Sequence, residues 1–222
     1  MFCIYIAHNN VEEARLKPIL IANRKGGCGK TTAAITIASA LADGGWKVGL
    51  ADADPQKSAS RWLKRRPKGV ARITPLDWTS PKSLGDAPKG LQYVVIDAPG
   101  SIYDEDAQQL VAEAKAVIAP VLPSFFDEDA TKRFMKDLQE IKRIRKGKVG
   151  LQLLANRLRP RSRSSARLDA FFKKLGQEPV ARINDRAAYG DLAEEGLAIF
   201  DKPQKLYAPM REQWAPLLRT LT

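Results

Sequence analysis

Short apolar runs punctuate the 222-residue chain, and most of the stretches between them have the spacing of amphipathic helices. Residues 18–23, 46–53, 91–97, 116–122 and 149–155 read as strands, with a short strand at 180–183 and a candidate edge strand at 70–74. Helices are expected at 30–43, where Gly44 and Gly45 stop the helix, and at 57–66, which ends before Pro67. A long helix capped by Asp127 runs to about residue 145, and further helices follow at 162–175, 186–195 and 207–221. Strands apolar on both faces, alternating with helices, imply a mostly parallel sheet covered on both sides. The expected fold is α/β and doubly wound, with ligands at the carboxyl ends of the strands. Residues 1–17 read as an N-terminal extension and 18–222 as one domain.

The segment between the first strand and the first helix carries the clearest chemistry. Lys25-Gly26-Gly27-Cys28-Gly29-Lys30-Thr31-Thr32 is a glycine-rich loop between a strand and a helix, the setting a P-loop requires. Its glycines let the backbone curl round phosphates, and its N–H groups and the helix N-terminus offer donors to them. Lys30 is placed to neutralise the β- and γ-phosphates of ATP, and the Thr31 hydroxyl to ligate Mg²⁺. Arg24 stands where the general P-loop pattern has glycine, and Lys25 gives the loop a second lysine. Two further strand ends carry acids: Asp52 and Asp54 in Asp-Ala-Asp-Pro-Gln, and Asp97 in Asp-Ala-Pro-Gly. Thr31, Asp54 and Asp97 are the candidate metal ligands, and Asp54 can also orient the attacking water. Asn156, at the end of a strand, is a candidate either for adenine contact or for plain capping.

Charge adds a partner class. The net charge is +12, and residues 131–174 hold fifteen Lys and Arg against three acids, an excess equal to the whole net charge. The chain's isoelectric point of about 9.8 and this local excess predict a polyanionic partner. The basic positions concentrate in 142–148 and 157–167, rich in Arg and Ser and poor in aromatics, which suits phosphate contact more than base stacking. Arg159, Arg161, Arg163, Arg167 and Lys173 are the candidate DNA contacts. Cys3 and Cys28 are the only cysteines, too few for a disulfide framework, a zinc site or an iron–sulfur cluster within one chain. The absence of an 18-residue apolar run or a signal-like N-terminus makes a cytoplasmic location the expectation.

The three motifs occur together in one order, with Pro120-Val121-Leu122-Pro123-Ser124 and Arg186-Ala187-Ala188-Tyr189-Gly190 behind them. Over residues 18–200 the chain resembles the deviant Walker A ATPases of the ParA and MinD superfamily, above all the short ParA type typified by the partition protein ParF. The resemblance implies an ATP-dependent, face-to-face homodimer in which Lys25 crosses to the partner's phosphates. It also implies sequence-independent DNA binding, nucleoid association in the ATP state, and release when a ParB- or ParG-like adaptor stimulates ATP hydrolysis. A MinD-like cycle on membranes is the alternative. It needs a basic amphipathic C-terminal helix, which Pro209 and Pro216 would interrupt, so no stable membrane association is expected.

Overall fold

The computed structural model describes residues 16–76, 78, 87–100, 109–111 and 114–222. Residues 1–15, most of the expected extension, lie outside that set. In chain order the elements are β1 (Lys17–Ile21), α1 (Lys30–Asp43), β2 (Val48–Asp52), α2 (Ser58–Arg65), β3 (Ile73–Leu76), β4 (Tyr93–Asp97), β5 (Ala116–Val121), α3 (Phe125–Glu140), α4 (Lys142–Arg145), β6 (Gly150–Leu158), α5 (Arg163–Leu175), β7 (Ala181–Asn184), α6 (Ala188–Glu194) and α7 (Ala208–Leu221). The strands form a seven-stranded sheet in the order β3-β2-β4-β1-β5-β6-β7, with parallel pairing throughout.

Alternation along the strands divides the core in two. Ile19 and Ile21 of β1, with Tyr93 and Val95 of β4, face a layer built from α1, α2, α6 and α7. Leu20, Val94, Ile96 and Val117 face the opposite layer, where Phe134, Met135 and Leu138 of α3 meet Leu168 and Phe172 of α5. The central strands are therefore apolar on both faces, and the doubly wound expectation holds. Helices α3, α4 and α5 follow one another on the second side of the sheet, and the basic excess sits on α4, on α5 and in the segments that join them to β6.

Several boundaries differ from the sequence reading. Lys17 belongs to the sheet: its N–H donates to Gln92 O at 2.9 Å, and its ammonium donates to the Tyr93 hydroxyl at 3.1 Å. Helix α3 starts at Phe125, so Asp127 lies inside it and is not its cap, and the helix breaks at Ile141 before α4. Strand β3 lies at 73–76, where Pro75 is tolerated because β3 is the sheet's edge. Strand β6 runs on to Leu158 through a register shift between Ala155 and Leu158, a bulge at which Arg157 takes φ +53°. Pro209 sits in the first turn of α7, and the helix continues through Pro216.

Candidate functional site

Register creates the site. Ile21 of β1 and Asp52 of β2 are both in register with Asp97 of β4, so three strand ends arrive at one level of the sheet. The glycine loop leaves β1 there and turns into α1. A cleft of about 1020 Å³ opens above these ends, bounded by the loop, Asp54, Gly100 and Asn156.

The loop has the curled backbone that phosphate binding needs. Gly27 and Gly29 have φ of +74° and +91°, and the N-cap of α1, Gly29, has no side chain to occupy the helix's first N–H groups, which suits them to a ligand. A Cβ on Gly29 would lie 2.4 Å from Asn156 Nδ2. Asn156 holds the loop from β6: its Nδ2 donates to Cys28 O at 2.8 Å, while its Oδ1 accepts from Arg157 N at 3.0 Å. One amide hydrogen and one lone pair are left over for a base. Lys30 is buried, and its ammonium donates to Lys25 O at 3.1 Å, turned back into the loop's own curl. Lys25 is half-buried at the loop's entry.

Asn23 is a loop anchor that sequence reasoning missed. It is fully buried; its Oδ1 accepts from Lys25 N at 3.1 Å, and its Nδ2 donates to Pro120 O at 2.7 Å and to Thr131 Oγ1 at 3.4 Å. One side chain thus ties the loop to β5 and α3. The only signal in the sequence was a polar residue closing an apolar strand. Arg24, the departure from the general P-loop pattern, forms a 2.8 Å ion pair with Asp137 of α3.

Asp97 dominates the electrostatics. It is fully buried, and among the described residues neither carboxylate oxygen has a hydrogen-bond partner of full geometry. Burial pushes its pKa up to about 7; the Thr31 hydroxyl and Lys30 pull it down, while the Asp52 and Asp54 charges push it further up. An orphaned carboxylate beside a hydroxyl, both oxygen donors, fits a hard divalent cation such as Mg²⁺. Among the described residues no cluster of three or more His, Cys, Asp or Glu forms a metal cage, so phosphate and water would complete the coordination of such an ion. Asp52, by contrast, is occupied: its Oδ1 accepts from Asp54 N at 3.2 Å and its Oδ2 from Ser60 N at 2.7 Å, capping α2. Asp54 lines the cleft, and one of its oxygens accepts from Gln56 N at 2.8 Å.

Beyond the phosphate end the cleft reaches Arg157, Asn184, Asp185, Tyr189 and Trp214. Trp214 Nε1 donates to the Tyr189 hydroxyl at 2.9 Å, and burial lifts the Tyr189 pKa to about 12, so this wall stays neutral. Asp185 accepts from both Arg157 and Arg159, and the two guanidiniums hold its carboxyl below the usual range against the opposing effect of burial. Arg159, Arg161, Arg163 and Arg167 are exposed around the start of α5. Lys173 is exposed on the same helix, about 15 Å further along its axis than Arg163.

The CbiA family, the CobQ/CobB/MinD/ParA nucleotide-binding domain, matches residues 19–189. The chain belongs to this family. It is 31% identical over 187 residues to the maintenance of carboxysome distribution protein A of Halothiobacillus neapolitanus, covering 82% of this chain and 86% of that one. Its fold is similar to that of a Cyanothece McdA–ATP complex, with a TM-score of 0.70 at 17% identity over 92% of this chain and 97% of that one. It is also similar to the septum site-determining protein MinD of Pyrococcus horikoshii complexed with Mg-ADP, with a TM-score of 0.69 at 18% identity over 92% and 95%.

Proposed function

We propose that the chain is a ParA-type ATPase that binds ATP with Mg²⁺, closes into a homodimer around two nucleotides and positions a cargo by cycling on and off DNA. The observation that carries this reading is the juxtaposition of the curled lysine-bearing loop with the orphaned carboxylate of Asp97. The loop's N–H groups and Lys30 bind the phosphates, and the Lys30 ammonium exchanges the Lys25 carbonyl for phosphate oxygens. Thr31 and Asp97 would hold Mg²⁺, which would supply charge neutralisation to the phosphates. Asp54, half-buried in the cleft wall, orients water for attack on the γ-phosphorus, giving ADP and phosphate. Lys25, half-buried at the loop's entry, reaches the phosphates of a second copy and lowers the repulsion between two closely held triphosphates.

The basic surface on α5 and its entry loop supports non-specific DNA as the track, and the H. neapolitanus relative's name supports cargo positioning. An adaptor that stimulates hydrolysis completes the cycle. Against the membrane alternative, α7 buries Met210, Trp214, Leu217 and Leu221 in the core, so its apolar face is already used. No helix among the described residues is long and apolar enough to cross a membrane.

Light scattering with ATP and Mg²⁺ tests the reading: the unmodified chain should dimerise, and Lys25→Ala should bind nucleotide as a monomer. Normal dimerisation of that variant would overturn the sandwich arrangement. DNA retardation without nucleotide, with ADP and with ATP tests the track; equal retention in all three states would overturn ATP control.

A further inference from the structure

A second concavity, about 840 Å³, lies between α2 and the edge strand β3 and shares no described lining residue with the nucleotide cleft. Leu63, Val70 and Ile73 give it an aliphatic floor, and Lys64, Lys68 and Arg72 stand exposed around it. None of its described lining residues is acidic. The sequence explains why: residues 56–76 contain seven Lys or Arg and no Asp or Glu. Two further cations of the wall serve the protein's own structure. Lys57 donates to Asp52 O at 2.9 Å, and Arg66 is locked to Asp201 at 2.7 Å.

The combination selects a partner. A duplex presents phosphates on a convex surface and has no aliphatic side chains to offer a groove floor. An extended peptide alternates its side chains, so one set can enter the floor while the other meets the cations. The concavity falls within the roughly 300–1,000 Å³ of sites that enclose small ligands, enough for a few residues. Helix α2 is capped by Asp52, at the end of the strand that leads into Asp54, so an occupant here would rest on an element anchored at the nucleotide site.

We propose that this groove docks an extended acidic peptide segment of a partner protein, its carboxylates against Lys64, Lys68 and Arg72 and its aliphatic side chains on Leu63, Val70 and Ile73.

The probe is a fluorescein-labelled peptide of alternating Glu and Leu, titrated with the full chain and read by fluorescence anisotropy. Matched peptides carry Ser in place of Leu or Lys in place of Glu. We expect saturable binding of the Glu–Leu peptide only, weakened about tenfold or more by the double variant Lys64→Glu with Arg72→Glu. Arg163→Glu with Arg167→Glu should leave it unchanged. Mg·ADP binding by each variant reports folding and the nucleotide site separately, so a failure of this proposal is distinct from a failure of the ATPase reading. Absent binding, equal binding of the Glu–Ser peptide, or indifference to the groove variant would overturn the proposal. So would loss of duplex DNA binding in the groove variant without loss of peptide binding, which marks a nucleic-acid surface. Self-association abolished by the groove variant while peptide binding persists would mark an interface between copies and overturn it as well.

Discussion

Asp97 is a carboxyl group whose ordinary pKa of 3.8 rises to about 7 because the fold buries it beside two other acids. Between those two values the folded chain keeps a proton that the unfolded chain releases. Stability therefore falls as pH rises through this window, by on the order of a few kcal/mol, and above it the penalty is constant. Asp97→Asn removes the titration. We expect guanidinium unfolding midpoints of the unmodified chain to drop between pH 5 and pH 8, and those of the variant to stay nearly level, while its Mg²⁺-dependent ATP turnover is lost. An equal pH response in both proteins would mean that Asp97 is not the group that titrates. Gly29 is the second sensitive position, because its left-handed φ and its 2.4 Å approach to Asn156 leave no room for a methyl group. Gly29→Ala should destabilise the fold by about 1–3 kcal/mol and weaken Mg·ADP binding, read by thermal unfolding and calorimetry. Unaltered ADP affinity would show that the loop tolerates a different curl.

Among the elements, α2 depends on an acid from the preceding strand. The Asp52 carboxylate accepts from Ser60 N in the helix's first turn and from Asp54 N in the connecting loop. Asp52→Ala leaves both donors without that acceptor, and we expect a loss of about 1–2 kcal/mol in unfolding free energy. Hydrogen exchange should rise selectively over 54–60; protection unchanged there would separate α2 from Asp52. These elements were unequally legible in the sequence. The strands of the sheet centre were plain because Ile19–Leu20–Ile21 and Val94–Val95–Ile96 are apolar at every position, which only a sheet buried on both faces requires. The glycine loop was plain because its chemistry is local. What depends on distant packing was hidden. Asn23 reads as an ordinary strand end until β5 and α3 bring Pro120 O and Thr131 to it. Asp127 has the right residue type for a cap, yet the chain enters α3 two residues earlier. The basic run of 57–72 was masked because acids elsewhere cancel it in the total, and only the fold gathers it beside an apolar groove.

At the scale of the molecule, the remaining question is how a nucleotide can govern an electrostatic surface that it does not touch. The exposed cations of α5 and its entry loop lie on a different layer from α1, and the nucleotide leaves their number per chain unchanged. Dimer closure changes how many of them one DNA segment can meet. If the five candidate residues of one copy each neutralise a phosphate, the log–log salt slope of binding is about −4.5. Two copies held together double the contacts and steepen the slope towards about −9. Retardation of a fixed duplex across a salt series should therefore give a steeper slope with ATP than with ADP. Lys25→Ala should keep the shallow slope in both states, since its basic residues are intact and only the pairing of copies is lost. Arg163→Glu with Arg167→Glu should lower affinity in both states yet preserve ATP-dependent dimerisation. An ATP slope equal to the ADP slope, with Lys25→Ala behaving as the unmodified chain, would detach DNA binding from nucleotide-driven association. The basic face would then act as a constant anchor, and release would have to come from another part of the molecule.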